Sequence, residues 1–335
     1  MAVESPMYNI NLNVQETIQL LVQPSFTDQD IQNSFRVIRN LYGGKMNLAI
    51  AKQMEKFVRK AQHCNPQYAG QFKMSERSIE VKYAEGNLKW CYEELVNTYY
   101  DQLAPLYTTA QGTPSLAELL NIILGQMQLG IKRDVERVAW FGDSASVDAN
   151  YDWADGIWTR IPGLVGTSEI GAYTNTSSGG AITNAQAYEF LRDVVRAARP
   201  ELRNMPAQDK RIYISGNMWL QILDYLEDSA VTNGFIQVFN EAQAGIAATY
   251  RGIPIVVQDR WDEVLSNDFG LNEEHRIIYT VRDNLVVATD LRANANGGQS
   301  FFKLYQDPKD DALYIRSKFV FDTNIVFPFL MSVGY

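Results

Sequence analysis

Residues 115–143 read SLAELLNIILGQMQLGIKRDVERVAWFGD, and the rest of the chain is organised around them. Leu116, Leu120, Ile123, Met127, Ile131, Val135 and Val138 recur at steps of three and four, the spacing of one apolar helix face. Pro114 suits a first-turn position, and Ser115 with Glu118 makes a capping box. The spacing predicts a helix over 115–140, roughly 39 Å long at 1.5 Å rise per residue. Phe141-Gly142-Asp143 stops it. Gly125 and Gly130 within it each cost about 1 kcal/mol against Ala, which points to close packing along its length.

Beyond the helix, residues 163–184 (GLVGTSEIGAYTNTSSGGAITN) are rich in Gly, Ser and Thr and form the clearest boundary in the chain. An alternating α/β pattern follows. Helices are predicted at 185–198 and 218–226, and strands at 211–215 and 253–258. A hairpin is predicted from 276–281 and 285–289 across Arg282-Asp283-Asn284. Residues 301–335 hold nine aromatics against 12% in the whole chain, and 313–327 is strand-like. Asp307-Pro308-Lys309-Asp310-Asp311 reads as a turn between strands.

Upstream, residues 1–26 have no sustained period and read as an extended arm. Helices are predicted at 27–42 (Ile31, Phe35, Ile38 and Leu41 on one face) and at 45–64 (Ile50, Met54, Phe57, Ala61). Residues 78–92, SIEVKYAEGNLKWCY, read as two strands flanking a turn at Glu85-Gly86-Asn87. Such a two-stranded ribbon is marginal alone, so it should rest on another part or another subunit.

A chain of 335 residues with 46% hydrophobic and 21% charged residues is globular, with a prior of about two domains. The net charge of −9 argues against a dedicated nucleic-acid binder. Residues 1–112 balance 11 basic against 11 acidic side chains, so the whole excess lies beyond them. Cys64 and Cys91 cannot build a disulfide framework, which fits a reducing compartment. No secretory leader and no apolar run of membrane-spanning length is present, so a soluble intracellular protein is expected.

Residue types that carry chemistry are sparse. His63 and His275 are the two histidines, and neither has metal-site spacing. His63 and Cys64 are neighbours, so on a helix they point apart. Tyr42-Gly43-Gly44-Lys45 lacks the first glycine and the final Ser of a phosphate loop. Asp143, Asp148, Asp152 and Asp155 match no calcium-loop spacing and read as a solvated connector. Glu273-Glu274-His275 reads as a loop before a strand. No catalytic, cofactor-binding or metal-binding residue is expected, and the protein is not expected to be an enzyme.

The order of parts resembles the major capsid proteins of tailed bacteriophages, the Hong Kong 97-type coat fold. The hairpin at 78–92 precedes the long helix, as that family's extended loop precedes its spine helix. The helix end Asp134-Val135-Glu136-Arg137-Val138-Ala139-Trp140-Phe141-Gly142-Asp143, with Gly156-Ile157 and Pro162-Gly163 after it, is similar to the family's. So is Arg211-Ile212-Tyr213-Ile214-Ser215-Gly216-Asn217-Met218-Trp219, a strand, small turn and Trp-bearing helix. Tyr250-Arg251-Gly252-Ile253-Pro254-Ile255-Val256-Val257 resembles its aromatic–Gly–x–Pro strand entry.

The resemblance implies an α+β fold divided into five parts. These are an N-terminal arm and helices (1–70), an extended loop (71–112), and a peripheral domain with the spine helix (113–182). An α/β axial domain (183–295) follows, and C-terminal strands return to the peripheral domain (296–335). It implies a coat protein assembling into hexamers and pentamers of an icosahedral shell around double-stranded DNA. Its partners would be itself and portal, scaffold or decoration proteins. Its place would be the virion after assembly in the host cytoplasm, with no membrane, no cofactor and no sequence-specific DNA contact. An encapsulin-like shell around a cargo enzyme is the alternative, and a metabolic α/β enzyme a third reading. Some relatives join a loop lysine to a neighbour's asparagine. Lys82, Lys89 and Asn324 are the matching residue types, and ordinary surface contacts are expected of the two lysines.

Overall fold

The computed structural model describes residues 29–39, 41, 44–51, 74–91, 116–174, 182–228, 239–240, 248–270, 275–289, 301–307 and 312–335. In chain order these hold α1 (Gln29–Ser34), β1 (Arg36–Ile38), β2 (Lys45–Ala51), β3 (Met74–Glu80) and β4 (Lys82–Cys91). Next come α2 (Leu116–Phe141), α3 (Ile157–Gly166), β5 (Ala172–Thr174), α4 (Asn184–Ala197), β6 (Lys210–Ser215) and α5 (Gly216–Asp228). Further along are β7 (Phe239–Asn240), β8 (Ala248–Tyr250), β9 (Ile253–Gln258), α6 (Asp259–Asn267), β10 (Ile277–Val281), β11 (Leu285–Ala288), β12 (Phe301–Asp307), β13 (Ala312–Ile325) and β14 (Met331–Gly334), besides short helical turns at Pro200–Arg203, Ala207–Asp209 and Pro328–Leu330. No described helix is long and apolar enough to cross a membrane.

One mixed sheet runs β5-β14-β10-β6-β9-β8-β7. Its middle strand β6 is buried at every position, as expected of a strand covered on both faces. Alternate residues serve different cores. Ile212 and Ile214, with Ile255 and Ile277, pack against Leu191 and Val194 of α4 and Met218 and Ile222 of α5. Tyr213, Val256 and Ile278 face the other way, into a core with Trp140 at the end of α2 and Trp261 of α6. The β8–β9 turn places both Arg251 (φ 52°) and Gly252 (φ 79°) in the left-handed region, the geometry of a two-residue hairpin turn. That accounts for the aromatic–Arg–Gly–Ile–Pro stretch.

The second sheet is organised by β13, whose two halves have different neighbours. Residues 322–325 pair with β11, which pairs in parallel with β1. Residues 312–318 lie between β12 and β4 as a three-stranded antiparallel ribbon, and the pairing with β4 continues to Phe321. β2 and β3 form a separate pair, tied to the ribbon root by the Asn324 amide donating to Ser78 O at 2.9 Å.

Several expectations are corrected. Glu85-Gly86-Asn87 is no turn, because β4 runs straight through it against β13. Gly86 is there for space: a Cβ would lie 2.8 Å from Ser317 Oγ. Where the structure describes the helix expected at 27–42, it holds α1 and then a strand at Arg36–Ile38. Lys45–Ala51, expected to be helical, is β2; residues 52–64 lie outside the described residues, as do 1–26. A partner strand distant in sequence overrode the local helical period there. The expected hairpin at 276–289 is instead a crossing, since β10 belongs to the first sheet and β11 to the second. Asn284 holds that corner, donating to Thr280 Oγ1 at 2.7 Å and to Phe327 O at 3.0 Å. The glycine-rich boundary contains the end of α3 and the edge strand β5. Residues 296–335 do not stay together either: β14 inserts between β5 and β10 of the first sheet.

Candidate assembly surface

The ribbon is positioned by the end of α2. Trp140 is 1% exposed, with the rings of Phe35, Trp261 and Tyr213 at 4.6, 4.8 and 5.8 Å. The chain then doubles back so tightly that the Gly156 amide donates to Gly142 O at 2.7 Å. A Cβ on Gly142 would sit 2.2 Å from Ala154 O, and one on Gly156 2.5 Å from the Trp140 carbonyl carbon. Only glycine permits that approach. In the loop between them, Asp143, Asp148 and Asp155 each accept a backbone amide, from Ala145, Asn150 and Ser144 at 2.9 Å. The connector's carboxylates thus cap their own turns. Among the described residues no group of three His, Cys, Asp or Glu could hold a metal ion.

The ribbon's two faces differ. Ala84, Ile315, Phe319 and Phe321 are buried inward, and Gly86 lies over Met127 of α2. The outward face carries a ladder of aromatic and charged side chains. Tyr305 stacks on Tyr314 at 5.2 Å and 6°, and Lys89 Nζ lies 5.2 Å over the Tyr314 ring. Arg316 pairs with Glu85 at 2.9 Å, while Lys318 Nζ lies 4.2 Å over Tyr83. Tyr83 and Tyr305 are each 51% exposed. Cross-strand pairs of this kind stiffen a sheet.

At the ribbon root, Asp322 is 4% exposed. Its Oδ1 accepts from Arg160 Nη2 at 3.0 Å, and its Oδ2 accepts from the Glu80 amide at 3.2 Å. Arg160 is shared, since Asp155 Oδ2 lies 3.8 Å away. Burial pushes Asp322 up to about 6, against the pull of Arg160 and the Thr323 and Glu80 amides, and Asp155 adds to the rise. Burial would raise Asp155 too, but the Ser144 hydrogen bonds, Arg160 and Lys82 hold it below its ordinary value.

The other singled-out residues scatter. His63, Cys64, Tyr42, Gly43, Glu273 and Glu274 lie outside the described residues. Gly44, at φ 74°, leads into β2, which begins at Lys45. His275 is buried, and its Nε2 accepts from the Ile182 amide at 3.3 Å. Cys91 ends β4 opposite Ala312. Lys82 and Lys89 are exposed on β4, whereas Asn324 is 6% exposed and its Oδ1 accepts from the Ile325 amide. Reading from sequence missed Asp322 and Arg160, which are 162 positions apart; no local pattern joins them. The Tyr314, Arg316, Lys318 alternation on β13 was the available signal for the outward face.

No family model and no curated protein matches the sequence. Solved structures do match the fold. The cyanophage A-1(L) capsid asymmetric unit has a TM-score of 0.55 at 14% identity, covering 100% of this chain and 96% of that one. The satellite phage P4 procapsid, including its size determination protein, gives 0.54 at 10%, covering 94% and 98%. The capsid of an empty GTA particle gives 0.53 at 11%, covering 91% and 88%. Across nearly its whole length, this chain therefore carries the Hong Kong 97-type coat fold of tailed-phage capsid proteins.

Proposed function

We propose that this chain is the major capsid protein of a tailed phage. Copies of it would assemble into hexamers and pentamers of an icosahedral shell around double-stranded DNA. The observation that carries this reading is the ribbon, which stands on a folded body and holds Tyr83 and Tyr305 half exposed on its outward face. A neighbouring copy would cover that face, and the burial it gains would be realised only on assembly. The role is structural rather than enzymatic. The α/β part (183–295) would surround the five- and six-fold axes, and portal, scaffold or decoration proteins would complete a virion built in the host cytoplasm. DNA would be enclosed without sequence reading, as an acidic chain does not grip phosphates.

Electron microscopy of the purified protein expressed alone tests this. Closed shells or ring-shaped capsomers are expected, and a monodisperse monomer at high concentration would overturn the reading. The particle contents, nucleic acid or a protein cargo, separate a genome shell from a cargo compartment.

A further inference from the structure

Residues 29–38 cross the seam between the two sheets. α1 spans six residues and β1 three, with Phe35 alone between them. A helix or a strand so short is marginal in water, and both are held by residues far along the chain. On the first sheet, Ser34 O accepts from the Tyr213 hydroxyl of β6 at 3.0 Å. Ser34 Oγ accepts from Gln258 Nε2, at the end of β9, at 2.9 Å. On the second sheet, Arg36, Val37 and Ile38 pair with Val286, Val287 and Ala288 of β11, and Ile38 O accepts from the Thr289 amide at 2.9 Å. Phe35, at the changeover, is buried against Trp140. With one residue between the two attachments, neither can leave its seat without pulling on the other. We propose that residues 29–38 are a clasp that closes across the seam and opens as one unit, coupling the two sheets.

Other joins between the sheets are continuous chain. β10 runs into β11 past Asn284, and β13 leads to β14 past Phe327. Those joins cannot part without unfolding the strands they connect. The clasp can, because β1 is the edge strand of its sheet, with β11 backed by β13 on the other side. Opening would uncover Ile31 and Phe35, which are buried in the core with Trp140, Tyr213 and Trp261. The closed form therefore predominates, and the open form is a minor state reached by local rather than global unfolding. The chain enters the clasp from residues 1–28. A neighbour that held those residues would act on the seam itself; that consequence rests on the shell reading, whereas the clasp does not.

Hydrogen exchange of the full chain tests it, at one pH and in one assembly state checked by sedimentation. Tyr213→Phe and Gln258→Ala each remove a bond to Ser34 from the first-sheet side. Either should speed exchange of residues 29–38 and of the Thr289 amide together, by about fivefold, the loss of one net hydrogen bond. The amides that pair β10 with β14 should keep their parent rates. From the other side, Val37→Ala thins the packing of β1 on the core and should speed exchange at 29–34 along with Thr289. A rise at 29–34 with Thr289 unchanged overturns the clasp, because the two attachments would then open separately. Unchanged exchange at both, or an equal rise throughout the first sheet, overturns it too, since the segment would have no opening of its own. Because exchange is read whether or not shells form, failure of the clasp and failure of the shell reading remain distinguishable.

Discussion

The two sheets of this molecule are finished to different degrees. The β5–β7 sheet has helices α4 and α5 on one face and the Trp140–Trp261 core on the other. The ribbon of β4, β13 and β12 is packed inward at Phe319 and Phe321, but its other face leaves Tyr83 and Tyr305 half open. The first sheet has the burial a domain needs by itself, while among the described residues the ribbon is packed by a layer on its inner face, where an apolar sheet usually requires two. A strong body with an incomplete appendage is what a subunit needs if it must fold before it meets its neighbours.

That contrast predicts a graded set of outcomes. Trp140→Ala removes the ring that joins α2 to the first sheet, and should cost about 3–5 kcal/mol. The denaturant midpoint should fall with little change in slope; a loss below about 1 kcal/mol would mean that the body does not depend on this core. Gly156→Ala forces a methyl against the Trp140 backbone, which cannot swing aside as a side-chain tip could, and should cost about 1–3 kcal/mol. Thermal unfolding of the soluble protein measures it. Replacing Tyr83 and Tyr305 together by Ser should leave stability within about 0.5 kcal/mol per site yet sharply reduce the yield of closed shells in electron micrographs. Unimpaired shells would show that the outward face is not an assembly surface. The smallest effect concerns the possible covalent link. Lys89 lies over Tyr314, and the Asn324 amide is engaged inside its own chain. Mature particles boiled in detergent should therefore run as one band near 38.0 kDa, and a ladder surviving reductant would reverse that assignment.

Where elements depend on neighbours along the chain, they were legible in advance. The period of 116–138 located α2 to within a residue at each end, and β9 falls on 253–258 as read. The α/β alternation beyond residue 184 also matched. The misread segments depend on strands far away. Glu85-Gly86-Asn87 has turn composition, but β13, more than 220 residues on, holds it extended. Arg282-Asp283-Asn284 has the look of a hairpin, yet Asn284 reaches Phe327 and sends the next strand into the other sheet.

Read along the chain alone, the residues specify the long helix, the α/β alternation, the order of parts that resembles a coat protein, and the lack of a familiar catalytic motif in the sequence. Each follows from spacing or residue type, which short-range sterics and hydrophobic periodicity translate directly into structure. Which strands pair, the division of β13 between body and ribbon, and the meeting of Asp322 and Arg160 at that division emerge once the chain is folded. Strand pairing is a long-range choice between edges with similar local preferences. A carboxylate's burial, and so its proton affinity, exists only once the groups around it have assembled.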